Sequence, residues 1–242
     1  MMDADDTWKV VLSALSSYLF YRAYNPPHPP MDAKKRDKQV KGAFTSNTSQ
    51  YFSIMKSHLQ LLLGVAEISL IFAKNYPSSS LSTLARSLFL FRNGNPANLH
   101  LSTAHVIGGI LIIIGGSMRL WAMYTLGRLF SFQVGIQQGH HLITSGPYSI
   151  VRHPSYMGMQ ITHVGYLLWH LSAGSWVRES GLMNSIPGLL VVVAYVAFIV
   201  GSAYAITISR MNQEDKMIRE GFGKEWEDWA KRVPYKTMPG IY

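Results

Sequence analysis

Two stretches of the chain concentrate side chains that can bind and orient an anion. The first runs from Gln133 to Tyr156 and contains His140-His141, Gly146-Pro147 and Arg152-His153-Pro154-Ser155-Tyr156. Gly146-Pro147 makes a turn, and Pro154 suits the first turn of the helix whose apolar run begins there. Arg152 and His153 then stand at a helix N-terminus, where free N–H groups and the helix dipole attract negative charge. A ligand bearing a carboxylate would sit well there; a plain capping role for His153 is the alternative. In the second stretch, Arg210 and Glu214 are four residues apart and share one helix face. They could be a surface ion pair anchoring a helix end.

Several other chemistries are excluded or disfavoured. With no cysteine there is no disulfide framework, thiolate nucleophile or Cys-based metal site. His58, His100, His105, His163 and His170 lack the clustered spacing of a membrane di-iron centre, and His140-His141 is weaker still, so no metal is expected. No G-x-G-x-x-G follows a strand, which argues against a Rossmann cofactor domain.

The elements that must position these residues are membrane helices. The chain has 242 residues, 48% of them hydrophobic and only 14% charged, against roughly 25% charged in an average soluble domain. No Asp, Glu, Lys or Arg lies between Arg92 and Arg119, between Arg152 and Arg178, or between Glu179 and Arg210. Runs near 20 residues long are enough to cross a bilayer as helices. The expected spans are about 8–24, 51–73, 102–124, 155–176 and 186–208. The fold expected is an all-α integral membrane bundle of about five helices in a single domain, 1–242, with its chemistry in 125–242. The acidic start of 8–24 (Asp3, Asp5, Asp6) suits a retained span better than a signal peptide. Segment 81–92 is too short to span and reads as an interfacial or packed helix. Small residues at helical spacing, Gly108, Gly115 and Gly116 on one span and Ala194, Ala197, Gly201 and Ala205 on another, read as close-packing stripes. Glu67, inside the second span, is a functional candidate, with a satisfied interhelical hydrogen bond as the alternative.

The net charge of +9 is mostly topology. Lys34, Lys35, Arg36, Lys38 and Lys41, then Arg128 and Arg152, then the basic tail from Arg210 all fall on one side of five spans. By the positive-inside rule that side is the cytosol. The lysine cluster is therefore read as a solvated topogenic loop and not as a nucleic-acid site. Beyond Arg210, the stripe Phe222, Trp226, Trp229 and Val233 reads as a helix lying on or tucked under the membrane.

The run His140-x-Leu142-Ile143-Thr144-x-Gly146-Pro147-Tyr148-x-x-Val151-Arg152-His153-Pro154-Ser155-Tyr156-x-Gly158 resembles the signature of the isoprenylcysteine carboxyl methyltransferases. The tail is similar to theirs as well, from Arg210-x-x-x-Glu214-Asp215 through Phe222-Gly223-Lys224-Glu225-Trp226 to Pro239-Gly240-Ile241. The likeness covers about residues 125–242. It implies a multi-pass enzyme, usually of the endoplasmic reticulum with its active site facing the cytosol. Such an enzyme methylates the C-terminal carboxylate of farnesyl- or geranylgeranyl-cysteine in prenylated proteins, using S-adenosyl-L-methionine. It further implies that Gln133, His140, Leu142, Ile143, Tyr148, His153, Tyr156 and Glu214 line the cofactor pocket, with His141, Pro154 and Ser155 beside them. Arg210 would hold the substrate carboxylate, with Arg152 and Glu214 completing the catalytic group. This chain departs from the pattern at Asp215, where a second Glu is usual, at Trp226, where Tyr is common, and in its extra His141. Other lipid methyltransferases and NADPH-dependent sterol reductases share a similar Gly-Pro-Tyr…Arg-His-Pro segment and are the alternatives, with a non-catalytic membrane protein a third.

Overall fold

The computed structural model describes residues 2–25, 36–39, 47–132, 135–137, 139–205 and 210–241, with the backbone alone at 36–39, 47–49 and 135–137. Its long helices are α1 (Ala4–Tyr24), α2 (Asn47–Asn75), α4 (Thr103–Leu126), α5 (Pro154–Leu171) and α7 (Ile186–Ala205). Shorter ones are α3 (Ser80–Phe89), the single turn α6 (Trp176–Glu179), α8 (Met211–Phe222) and α9 (Lys224–Arg232). A short ladder, β1 (Arg36–Gln39) antiparallel to β2 (Gly135–Gln137), adds to this all-helical bundle.

The five apolar runs therefore become the five long helices. Three segments, Gln50–Asn75, Thr103–Leu129 and Ile186–Ala205, are long and apolar enough to cross a membrane. The other two, α1 and α5, have 21 and 18 residues but carry polar groups such as Asp6, Lys9, His163 and His170. Helix α5 stops at Leu171, short of the expected 176, where Gly174 adopts φ +85°. The last three residues of the expected 186–208 lie outside the described residues.

The chain sorts into two compact units, each assembled from three segments. The first comprises Met1–Tyr21, His58–Ile114 and Ile161–Val200. Glu67 sits at its centre with both carboxylate oxygens engaged. Oε1 meets the Lys9 ammonium at 3.2 Å and accepts from the Trp176 N–H at 3.2 Å. Oε2 accepts from the Trp169 indole at 2.8 Å and from the Ser13 hydroxyl at 3.3 Å. Lys9 also donates to the Gly174 carbonyl. Of the two readings of Glu67, the satisfied interhelical bond is the one observed. In the same unit α4 and α5 touch at a glycine pair: a Cβ on Gly165 would lie 2.5 Å from the Gly108 carbonyl oxygen. Small residues let membrane helices approach this closely. On α3, Ser82 and Ala85 are buried while Leu81, Leu84 and Leu88 are exposed.

The second unit comprises Arg22–Ser57, Gly115–Gln160 and Gly201–Tyr242. A second glycine contact brings α4 and α5 together here, since a Cβ on Gly158 would lie 2.5 Å from the Gly115 carbonyl oxygen. The stripe on α7 behaves otherwise: nothing approaches the position of a Cβ on Gly201. The C-terminal stripe is not one helix. Gly223, at φ +53°, ends α8 and begins α9. Trp229 and Val233 then bury against Ala122 and Tyr148 in a small apolar core, and the Trp229 indole donates to the Tyr148 carbonyl at 3.1 Å. The buried part of the stripe packs on the protein's own turn and α4.

Candidate functional site

The site lies within the second unit and starts from the turn Gly146–Ser149, which Pro147 opens and Gly146 permits at φ +59°. Five residues on, Pro154 starts α5. The N–H groups just before it do not wait for a ligand. The Arg152 N–H donates to the Tyr235 carbonyl at 3.0 Å and the His153 N–H to the Lys236 carbonyl at 2.7 Å. The Arg152 guanidinium reaches the carbonyls of Val233 (3.1 Å) and Pro234 (2.8 Å) as well. The negative charge that settles at this helix start is also the chain's own, in the form of Glu214 and Asp215 from α8. The Arg152 and His153 N–H groups and side chains at the start of α5 thus have intramolecular partners.

His153 is the link. Its Nε2 lies 3.0 Å from Asp215 Oδ1 and its Nδ1 3.4 Å from Glu214 Oε2, so each ring nitrogen faces a carboxylate. Burial alone would disfavour the charged ring, but the hydrogen bonds to Asp215 and Glu214 outweigh it and raise the His153 pKa. Burial would likewise raise the pKa values of Glu214 and Asp215. The His153 contacts, reinforced by Arg210 at Glu214 and by Arg152 at Asp215, lower both instead. Asp215 also takes the Arg152 guanidinium at 3.2 Å, and Glu214 accepts from the Tyr156 hydroxyl at 2.8 Å. Arg210 is 4% exposed; its Nε lies 3.8 Å from Glu214 Oε1, and it donates to the Phe132 carbonyl. His153 therefore ties α8 to the start of α5, and Glu214 in turn steers Arg210.

The clamp has a pH signature. A His whose folded pKa is raised lends stability that is fully present below its ordinary value of about 6.5 and lost as pH rises through the folded value. The lowered carboxylates act oppositely, losing their contribution as pH falls through their folded values. Cluster stability is therefore greatest between these limits. Replacing His153 with Gln should remove the alkaline limb. Thermal unfolding in detergent from pH 6 to 9 measures it; an unchanged pH profile would show that His153 is not charged in the clamp.

One cavity gathers most of the residues singled out in the sequence. His140, Leu142, Ile143, Tyr148, Arg152, His153, Ser155, Tyr156, Arg210 and Glu214 all line it. His141 is exposed and outside the wall, and Pro154 is buried as the first residue of α5 without lining it. Gln133 lies outside the described residues. Arg152 borders the cavity but is committed to Asp215 and to tail carbonyls, a scaffold position rather than a second ligand-holding arginine. Lys56 and Arg119, to which sequence reasoning assigned no role, also line the wall. The signal for Arg119 was present: it is a single charge inside the apolar run 102–124, and such charges mark sites by default. Glu214 is the sole carboxylate among the described lining residues, so the cavity is strongly cationic.

Part of this wall combines a ring nitrogen with apolar surface, the features an adenosyl group would need. The Nδ1 of His140 is buried and has no hydrogen-bond partner among the described residues. Leu142 and Ile143 supply apolar surface beside it. Burial, with His141 adjacent, lowers the His140 pKa, which keeps the ring neutral and one nitrogen able to accept. Among the described residues no group of three or more His, Asp or Glu could hold a metal ion.

Long apolar helices and a cavity lined by several cationic side chains define the class: a helical membrane protein with a polar pocket. Residues 108–177 match the isoprenylcysteine carboxyl methyltransferase (ICMT) family. The chain is 27% identical over 195 residues to protein-S-isoprenylcysteine O-methyltransferase B of Arabidopsis thaliana, covering 78% of this chain and 85% of that protein. It is 33% identical over 134 residues to the protein-S-isoprenylcysteine O-methyltransferase of Rattus norvegicus, covering 52% of this chain and 38% of that one. A Delta(14)-sterol reductase of Mus musculus is 28% identical over 104 residues, only 20% of its length. The chain spans well under half of the rat relative's length, and the matched domain ends before the Arg210–Glu214 motif.

Proposed function

We propose that the protein methylates the C-terminal carboxylate of a prenylated cysteine, with S-adenosyl-L-methionine as methyl donor. The convergence of two motifs on one cavity supports this reading: Arg210 and Glu214 of one motif share a wall with His140, His153 and Tyr156 of the other. The substrate carboxylate is ionised near neutral pH, so the reaction needs no strong base. What it needs is an oxygen held in line and stripped of water. Arg210 holds the carboxylate with its planar guanidinium. Glu214, itself fixed by His153 and Tyr156, keeps that guanidinium aimed. Phe130, Phe132 and Trp229 supply apolar wall that excludes water. His140, Leu142, Ile143 and Tyr148 hold the adenosyl end of the cofactor, which supplies an electrophilic sulfonium methyl. The prenyl chain, farnesyl or geranylgeranyl, enters between helices from the lipid. The chain crosses the membrane of the endoplasmic reticulum five times, with the cavity on the cytosolic side.

The test is transfer of labelled methyl from S-adenosylmethionine to N-acetyl-farnesylcysteine by purified protein in detergent. The expected product is a base-labile methyl ester. A folded protein that binds S-adenosylhomocysteine yet transfers nothing would overturn the substrate assignment. Stabilisation by NADPH in place of S-adenosylhomocysteine would point to the reductase branch instead.

A further inference from the structure

We propose that Arg119, with Lys56 across the same cavity, forms a second carboxylate-binding subsite, separate from Arg210. The inference rests on the methyl-transfer reading above. Arg119 belongs to an apolar helix, is 4% exposed, and has no carboxylate partner among the described residues. Its Nε donates to the Ala23 carbonyl at 2.7 Å, and Nη1 to the Ser155 carbonyl (3.2 Å) and hydroxyl (2.7 Å). Its Cζ stands 5.1 Å from the centre of the Tyr24 ring. The guanidinium is thereby fixed at two of its three nitrogens, while Nη2 has no acceptor among the described residues. Lys56 lines the same wall from α2 and donates to the Ser202 hydroxyl at 2.6 Å. A buried charge inside a membrane helix is costly unless compensated, and an anion at Arg119 would compensate it.

The reaction brings two carboxylates into one cavity: the one that is methylated and the one at the amino-acid end of the methyl donor. A single arginine could not hold both apart. Arg210, tied to Glu214 and Phe132, and Arg119, tied to Ala23 and Ser155, offer two fixed cations carried by different elements. The chemistry at Arg119 is the same whichever carboxylate it takes, and paired ligands distinguish the two sources.

Binding to Arg119→Gln and to Lys56→Met is measured by calorimetry with two ligand pairs. S-adenosylhomocysteine is compared with 5′-methylthioadenosine, which lacks the amino-acid end. N-acetyl-farnesylcysteine is compared with its C-terminal amide. The expected result is a loss of about tenfold or more for the carboxylate-bearing member of one pair, with its partner unchanged. A selective loss in the first pair assigns the donor's carboxylate to Arg119, and one in the second assigns the substrate's. Equal weakening within both pairs, or no change, would overturn the subsite and leave Arg119 a purely structural tie. Lys56→Met leaves the Ala23 and Ser155 ties intact, so it carries the test if Arg119→Gln does not fold. Wild-type protein that binds neither pair would overturn the methyl-transfer reading itself.

Discussion

Arg210→Ala is expected to lower methyl transfer by about 10²–10³-fold or more while changing S-adenosylhomocysteine affinity by less than about threefold. The side chain is buried in the cavity wall beside Glu214 and Tyr156, where a carboxylate would find a desolvated, pre-aimed guanidinium. In such a setting a charge-assisted pair counts for more than it would in water. Alanine removes both the charge and the fork. Lysine restores the charge but not the fork, so Arg210→Lys should recover only part of the activity. The measurement is the initial rate with labelled cofactor, alongside calorimetric binding and an unfolding curve for each variant. If rate and cofactor affinity fell together, Arg210 would be a cofactor ligand or a structural tie, and its assignment to the substrate would be wrong.

Glu67→Ala should destabilise the protein by about 3–5 kcal/mol. The substitution strands Lys9, which is fully buried, with only the Gly174 carbonyl as its close partner. It also removes acceptors from the Trp169 indole, the Ser13 hydroxyl and the Trp176 N–H. Breaking one member of a buried pair costs much more than the pair contributes, because the remaining charge stays desolvated. Glu67→Gln keeps an acceptor for Trp169 and should cost less. Unfolding in detergent, followed by circular dichroism, measures both. The rate per folded molecule should stay near wild type, since the residues around Glu67 do not line the cavity. A selective loss of rate without loss of stability would return Glu67 to the functional candidates.

The parts that could be read from the chain are those set by near neighbours. The charge-free gaps became long helices because a run of apolar residues fixes a membrane helix with no help from distant parts of the chain. The pairing of Arg210 with Glu214 follows from four-residue spacing. The convergence of that motif with His140, His153 and Tyr156 was legible through family likeness alone. Nothing in the spacing states that residues 58 positions apart, such as Tyr156 and Glu214, share a hydrogen bond. Asp215 stood out only as a departure from a pattern. Its position opposite both His153 and Arg152 depends on how α8 returns to α5. The tail stripe misled for a similar reason. Its periodicity ran through Gly223, whose left-handed backbone divides it into two helices.

By itself, then, the sequence determined the class of the molecule: apolar helices, a basic side, and two stretches suited to an anion. Hydrophobic burial and backbone hydrogen bonding within a helix are local and need no tertiary knowledge. Only the tertiary structure decided which charges are spent on the protein and which remain for a ligand. Arg152 and Arg119 look alike as isolated arginines beside apolar runs. Folding gives Arg152 the carboxylate of Asp215 and gives Arg119 only neutral partners. That difference is a matter of long-range pairing in a low-dielectric interior, where each ion must be matched by a specific partner brought from far along the chain.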